Sequence, residues 1–191
     1  MFLIGCQNSK DMGIVGPDNS ATLNGKSISF LKLPANLNPS KSLSKRDPFL
    51  VTPKDGGIIN YHNSYMSDYG IVHIDVQIKF DRNSVSDSMI VSVGLDQDEL
   101  SGDISLDFSP SPVTFLIPAK LEMTVRGLDP ASLPANASNL ILVCNGQVDN
   151  PNYFEVMQCR SINMNRRDGQ IQVVDGLIPH FSRFGWTTKD D

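Results

Sequence analysis

The chain has 191 residues, a formal net charge of -5 and only 19% charged residues. It is long enough to bury a core of its own, and it lacks the basic surplus that would meet phosphates, which excludes nucleic acid as a partner class. No stretch approaches the roughly 18 consecutive apolar residues of a membrane helix, and the abundance of Ser, Asn, Asp, Gly and Pro suits short strands joined by turns.

The amino terminus reads Met1-Phe2-Leu3-Ile4-Gly5-Cys6-Gln7. Leu3-Ile4-Gly5-Cys6 resembles the lipobox of bacterial lipoproteins, where small residues let a peptidase reach the bond before the cysteine and the thiol takes up lipid. The resemblance makes Cys6 the lipidation site and implies membrane attachment through it. Five residues are too few for a signal peptide with its basic and apolar parts, so either the true start lies upstream or the match is chance. Gln7, rather than Asp, implies sorting to the outer membrane, facing the periplasm or the surface.

Residues 1–48 read as this start followed by a polar tether, with one docked strand at Ser27–Leu33 and punctuation at Pro34, Pro39 and Pro48. Lys41, Lys45 and Arg46 read as a solvated cluster. Residues 49–191 then form one domain. Pro53 to Gly57 is a turn into a strand at Ile58–Tyr61. Val72, Ile74, Val76, Ile78 and Phe80 alternate with polar neighbours, a period of two that gives a strand with one wet face. Met89, Val91 and Val93 form another, and Ile104, Leu106 and Phe108 the next. Pro118 predicts a break or bulge before Ala119, Leu121, Met123 and Val125. Leu140–Cys144 is a buried apolar strand. Tyr153–Met164 reads as one long strand, Gln170–Val174 follows a hairpin turn, and Ile178–Trp186 closes the chain. The expected fold is an all-β antiparallel sandwich with an extended N-terminal tether, a closed barrel being the alternative.

Two segments carry a family resemblance. Ile78–Val93 followed by Phe108–Val125, and Asp168–Thr188, resemble the ZU-five domain of ankyrins, netrin receptors and zonula-occludens proteins in its bacterial form. The matching features are the Gly56-Gly57 opening, the step from Pro112 through Phe115 to Pro118-Ala119, and the closing His180-Phe181-Ser182 with Phe184. The stretch Phe80 to Val85 departs from the family pattern in lacking its prolines. The resemblance implies a β-sandwich used for interaction. In some animal members His-Phe-Ser is a self-cleavage site, so it also implies a chemistry: Ser182 as nucleophile, Phe181 bearing the scissile carbonyl and His180 as base. If the segment is an ordinary strand, Phe181 points into the core and nothing reacts.

Asp96, Asp98 and Glu99 form an acidic loop, but Leu100 and Ser101 stand where a calcium-binding EF-hand needs an acid and a glycine. His62, expected in a loop, and His73, on a wet strand face, lack metal-ligand spacing, as does His180, and no metal or cofactor is expected. If Cys6 takes lipid, Cys144 and Cys159 are left on neighbouring predicted strands, as a candidate disulfide or as two free thiols. Asn136-Ala137-Ser138 matches a glycosylation sequon, and Trp186 reads as a core plug. The expectation is a non-enzymatic envelope lipoprotein whose sandwich binds an unidentified protein or envelope component. The competing readings are a self-processing domain and a carbohydrate- or calcium-dependent adhesin.

Overall fold

A computed structural model describes residues 22–24, 26–37, 48–95, 104–110, 113–145, 153–181 and 183–188. The strands are β1 (Thr22–Leu23), β2 (Lys26–Ser27), β3 (Phe49–Val51), β4 (Gly57–Ser67), β5 (Gly70–Phe80), β6 (Met89–Leu95), β7 (Ser105–Ser109), β8 (Val113–Arg126), β9 (Leu140–Asn145), β10 (Tyr153–Val156), β11 (Ser161–Asn165), β12 (Gln170–Phe181) and β13 (Phe184–Thr188). Among the described residues one 3-10 turn, Ala137–Asn139, precedes β9, and Asn136 of the sequon stands at its N-terminal flank without a side-chain capping bond. The strands form two sheets, ordered β2-β1-β10-β9-β13-β7-β6-β3 and β11-β12-β8-β5-β4. They pack against each other around a shared apolar core, so the fold is an all-β sandwich of two open sheets, not one closed barrel.

The period-two alternation explains the inner sheet faces. On β5, Val72, Ile74, Val76, Ile78 and Phe80 are buried while His73, Gln77 and Lys79 face out. On β8, Ala119, Leu121, Met123 and Val125 do the same from the neighbouring strand. β5 and β8 pair in register from Ile78 opposite Leu121 to Ile74 opposite Val125, which stacks their inward side chains in rows. Pro118 acts as expected: β12 pairs with Thr114 and then with Ala119, and the residues between them on β8 bulge out of the ladder.

The apolar run Leu140–Cys144 is buried on both faces of β9. Leu140, Leu142 and Cys144 join the core between the sheets. Ile141 and Val143 point the other way and form a second cluster with Phe154, covered by Leu23, Ile28 and Phe30. Part of the stretch read as tether is therefore built into the domain. Residues 22–24 and 26–37 dock across it. Leu31 N–H donates to the Trp186 carbonyl (2.8 Å), the Leu31 carbonyl accepts from Ile104 N–H (2.7 Å), and Leu37 N–H donates to the Met66 carbonyl (2.9 Å). Tyr65 OH adds a bond to the Pro34 carbonyl (2.8 Å). The segment thus ties the eight-stranded sheet to the end of β4 in the five-stranded one.

Two strands expected to be continuous are broken, each where the chain changes sheet. The Tyr153–Met164 stretch splits into β10 and β11. Met157 N–H still bonds to Leu142, but the Gln158 carbonyl already accepts from Leu177 and Arg160 N–H donates to Val174 in the other sheet. The Ile178–Trp186 stretch splits likewise, with Phe181 ending β12 and Phe184 opening β13. Conversely, Gln170–Val174 and the following residues form the single strand β12, with a register shift between Val173 and Gly176 where Asp175 takes φ 49°.

Phe108 lies at the junction of the sheets, stacked on Phe181 and edge-on to Phe184. Phe108→Ala is expected to cost about 3–5 kcal/mol of unfolding free energy in urea titration, as for large-to-small changes in well-packed cores.

Candidate functional site

The segments singled out by sequence converge at one end of the sandwich. Gly56 has φ +70°, and a Cβ there would sit on the Phe80 carbonyl oxygen, so only glycine fits. Phe80 in turn meets Phe115 edge-on (5.3 Å between ring centroids) and Phe181 (6.0 Å). Phe115 is perpendicular to Phe181 at 4.7 Å, and Phe108 stacks on Phe181 at 5.1 Å. Ala119 is fully buried close by on β8. The Gly-Gly opening, the Phe115–Ala119 part of the proline-alanine step and the closing Phe181 are thus parts of one packing unit. Each edge-to-face pair contributes about 0.5–1.5 kcal/mol beyond the burial of its surface.

His180 lies opposite Thr114 on β8 and Phe181 opposite Val113, at the end of β12. The Phe181 side chain is buried (1% exposed), as the ordinary-strand reading anticipates. The His180 ring is partly exposed and tilts over Phe184 at 6.5 Å. Ser182, Pro112, Cys6 and the acidic residues Asp96, Asp98 and Glu99 lie outside the described residues. Among the described residues no three His, Cys, Asp or Glu side chains gather as a metal-binding group.

Cys144 and Cys159 are free thiols, the second of the two states left open by the sequence. Register explains why they are not bonded. Cys144 faces Glu155 across the β9–β10 ladder. The chain then runs on past Val156 and Met157 and has crossed to the other sheet at Gln158, before it reaches Cys159. Burial, with Glu155 beside it, pushes the Cys144 thiol up to about 11. Burial also raises Cys159. Both are poor nucleophiles near neutral pH.

His62 is not in a loop. It stands on edge strand β4 opposite Asp75, with its Nδ1 2.8 Å from Asp75 Oδ1. The other Asp75 oxygen lies 3.6 Å from Arg126. His73 is on the wet face of β5, as expected, opposite Arg126. The register aligns His62, Asp75, Thr124, Gln172 and Asn163 in one row across all five strands. Gln172 Oε1 accepts a hydrogen bond from Asn163, and Gln77 donates one to Asn60 in the row beside it. Alternation alone marks these residues as outward. Their alignment needs the register, which no single strand carries. Toward the end of β5 on the same face, Lys120 Nζ bonds to Asp81 at 3.1 Å and holds its carboxyl below the usual range, with Lys79 adding to the effect. That stabilising contribution is present above about pH 4 and fades as the pH falls through the lowered value.

Trp186 is fully buried between the sheets, as expected of a core plug, and its indole N–H has no acceptor among the described residues.

No family model matches the chain, and no curated protein is similar to it.

The buried thiol gives a measurement. At pH 8 the native protein is expected to react slowly with a thiol reagent at Cys144, and unfolding in urea is expected to speed that reaction by at least about tenfold, read by peptide mapping. Fast native labelling at Cys144 would contradict the burial assigned to it.

Proposed function

We propose that the protein is a non-enzymatic cell-envelope lipoprotein, held at the membrane through Cys6, whose ZU-five-like sandwich serves as an interaction or structural module. The observation that supports the reading most is the convergence around Phe80 of Gly56, Phe115 and Phe181, residues of three separate segments that carry the family resemblance. They share one packing role, which fits a domain kept for its shape. Phe181 contributes its ring to that role. That packing against Phe80, Phe108 and Phe115 is what the ordinary-strand reading of the segment expects.

The anchor also fits the fold. Thr22 is the first described residue and already pairs with β10. Sixteen Cα steps separate it from Cys6 (22 minus 6), and a chain of that length reaches at most about 55 Å. The domain would therefore stay within that distance of the bilayer.

Expressed with its upstream DNA, the protein is expected to fractionate with membranes and to lose that on Cys6→Ala. A soluble wild-type protein would remove the anchored half of the reading. Prolonged incubation of the purified chain should leave its mass unchanged, and Ser182→Ala should make no difference. A fragment beginning at Ser182 that this substitution abolishes would instead establish self-processing.

A further inference from the structure

The docked segment 22–37 and the surface it covers form a matched pair. On the outer face of the eight-stranded sheet Gly185 leaves a gap that the Phe30 ring fills, and a Cβ at Gly185 would lie 2.5 Å from that ring. Phe154 meets Phe30 edge-on at 5.0 Å, and the Arg183 guanidinium lies over the Phe30 ring, 5.2 Å from its centroid. Thr187 Oγ1 donates to the Ser29 carbonyl (2.7 Å), and Phe30 and Thr187 form a β-bridge. Leu23 and Ile28 complete an apolar cluster with Ile141, Val143 and Phe154 that is separate from the core between the sheets. This arm therefore docks in part through a cluster of its own, while Leu31 is buried in the core between the sheets and Leu33 packs against that core. Its strands β1 and β2 are only two residues each. Residues 38–47 connect it to Pro48, and eleven Cα steps allow a span of up to about 38 Å.

We propose that this groove is also an interaction surface for a second copy of the chain, which docks its own residues 22–37 there in an exchanged dimer. The occupant follows from the structure, because the arm of another copy would make the contacts that the arm already makes in its own chain. The exchange is reciprocal and closes with two-fold symmetry, so it stops at a dimer. No new contact is required, and the dimer competes only with the effective concentration of the tethered arm. For a connection of this length that is on the order of millimolar, which sets the scale of wild-type self-association. The proposal does not depend on lipidation at Cys6.

Two full-length variants separate the arm from its seat. Ile28→Asp with Phe30→Asp disables the arm and leaves the groove. Gly185→Val fills the seat and leaves the arm. Each alone should run as a monomer. Mixed in equal amounts they should give a species of twice the monomer mass by light scattering, associating at least about tenfold more tightly than wild type, because the donor's arm no longer has a seat in its own chain. A mixture that stays at monomer mass while both variants melt cooperatively overturns the proposal. Should either variant lose its cooperative melt, the wild type carries the test. Warmed close to its melting midpoint at high concentration and cooled, it should yield a dimer that persists on dilution and exchanges fluorescent labels between copies. A wild type that remains monomeric up to about millimolar after that treatment overturns the proposal equally.

Discussion

The aromatic contact between the two sheets is the constraint on which the rest depends. Phe80 and Phe115 come from the five-stranded sheet, Phe108 and Phe184 from the eight-stranded one, and Phe181 meets Phe80, Phe115 and Phe108. Phe108 then reaches Phe184, which opens the next strand. Each ring excludes water from its neighbours, and burying one such side chain is worth about 1.5–3 kcal/mol. The geometry around it follows. Gly56 must be glycine because the chain passes against the Phe80 carbonyl, and β12 ends at Phe181 with Phe184 opening a strand of the opposite sheet.

A second constraint acts on the far side of the eight-stranded sheet. β9 has apolar side chains on both faces, and a sheet with one face in water would leave Ile141 and Val143 exposed. The arm is what covers them. Its composition looks like linker, yet Ile28 and Phe30 are placed to cap that patch, with Gly185 hollowed to receive the ring. The polar face of the other sheet needs no such cover. There His62, Asp75 and Arg126 satisfy one another in water, and the exposed ion pairs contribute little to stability.

Much of the fold was legible in the sequence where burial imposes a period. Val72–Phe80 and Ala119–Val125 alternate because they have one wet face, and Leu140–Cys144 is continuous because it has none. Pro118 announced its bulge through its missing donor. The corner at Met157 to Arg160 was invisible because no residue there has turn chemistry: the hydrogen bonds of two different sheets make it. His62 was misplaced because β4 alternates weakly, with Asn63 standing among its inward positions between Tyr61 and Tyr65. The arm was legible only as one docked strand at Ser27–Leu33, because its partners lie far along the chain. Of the candidate residues, Phe181 and Trp186 were read correctly as core by pattern, whereas the separation of Cys144 from Cys159 is set by register, which composition does not encode.

The arm's docking has a consequence for the order of events during synthesis. Ser29 and Thr187, joined by one hydrogen bond, are 158 positions apart. The segment made first must therefore wait for a strand made much later before it finds its place. Until then Ile141, Val143 and Phe154 have no lid, and Phe30 has no seat. Such long-range closure is slow and leaves sticky surface exposed meanwhile.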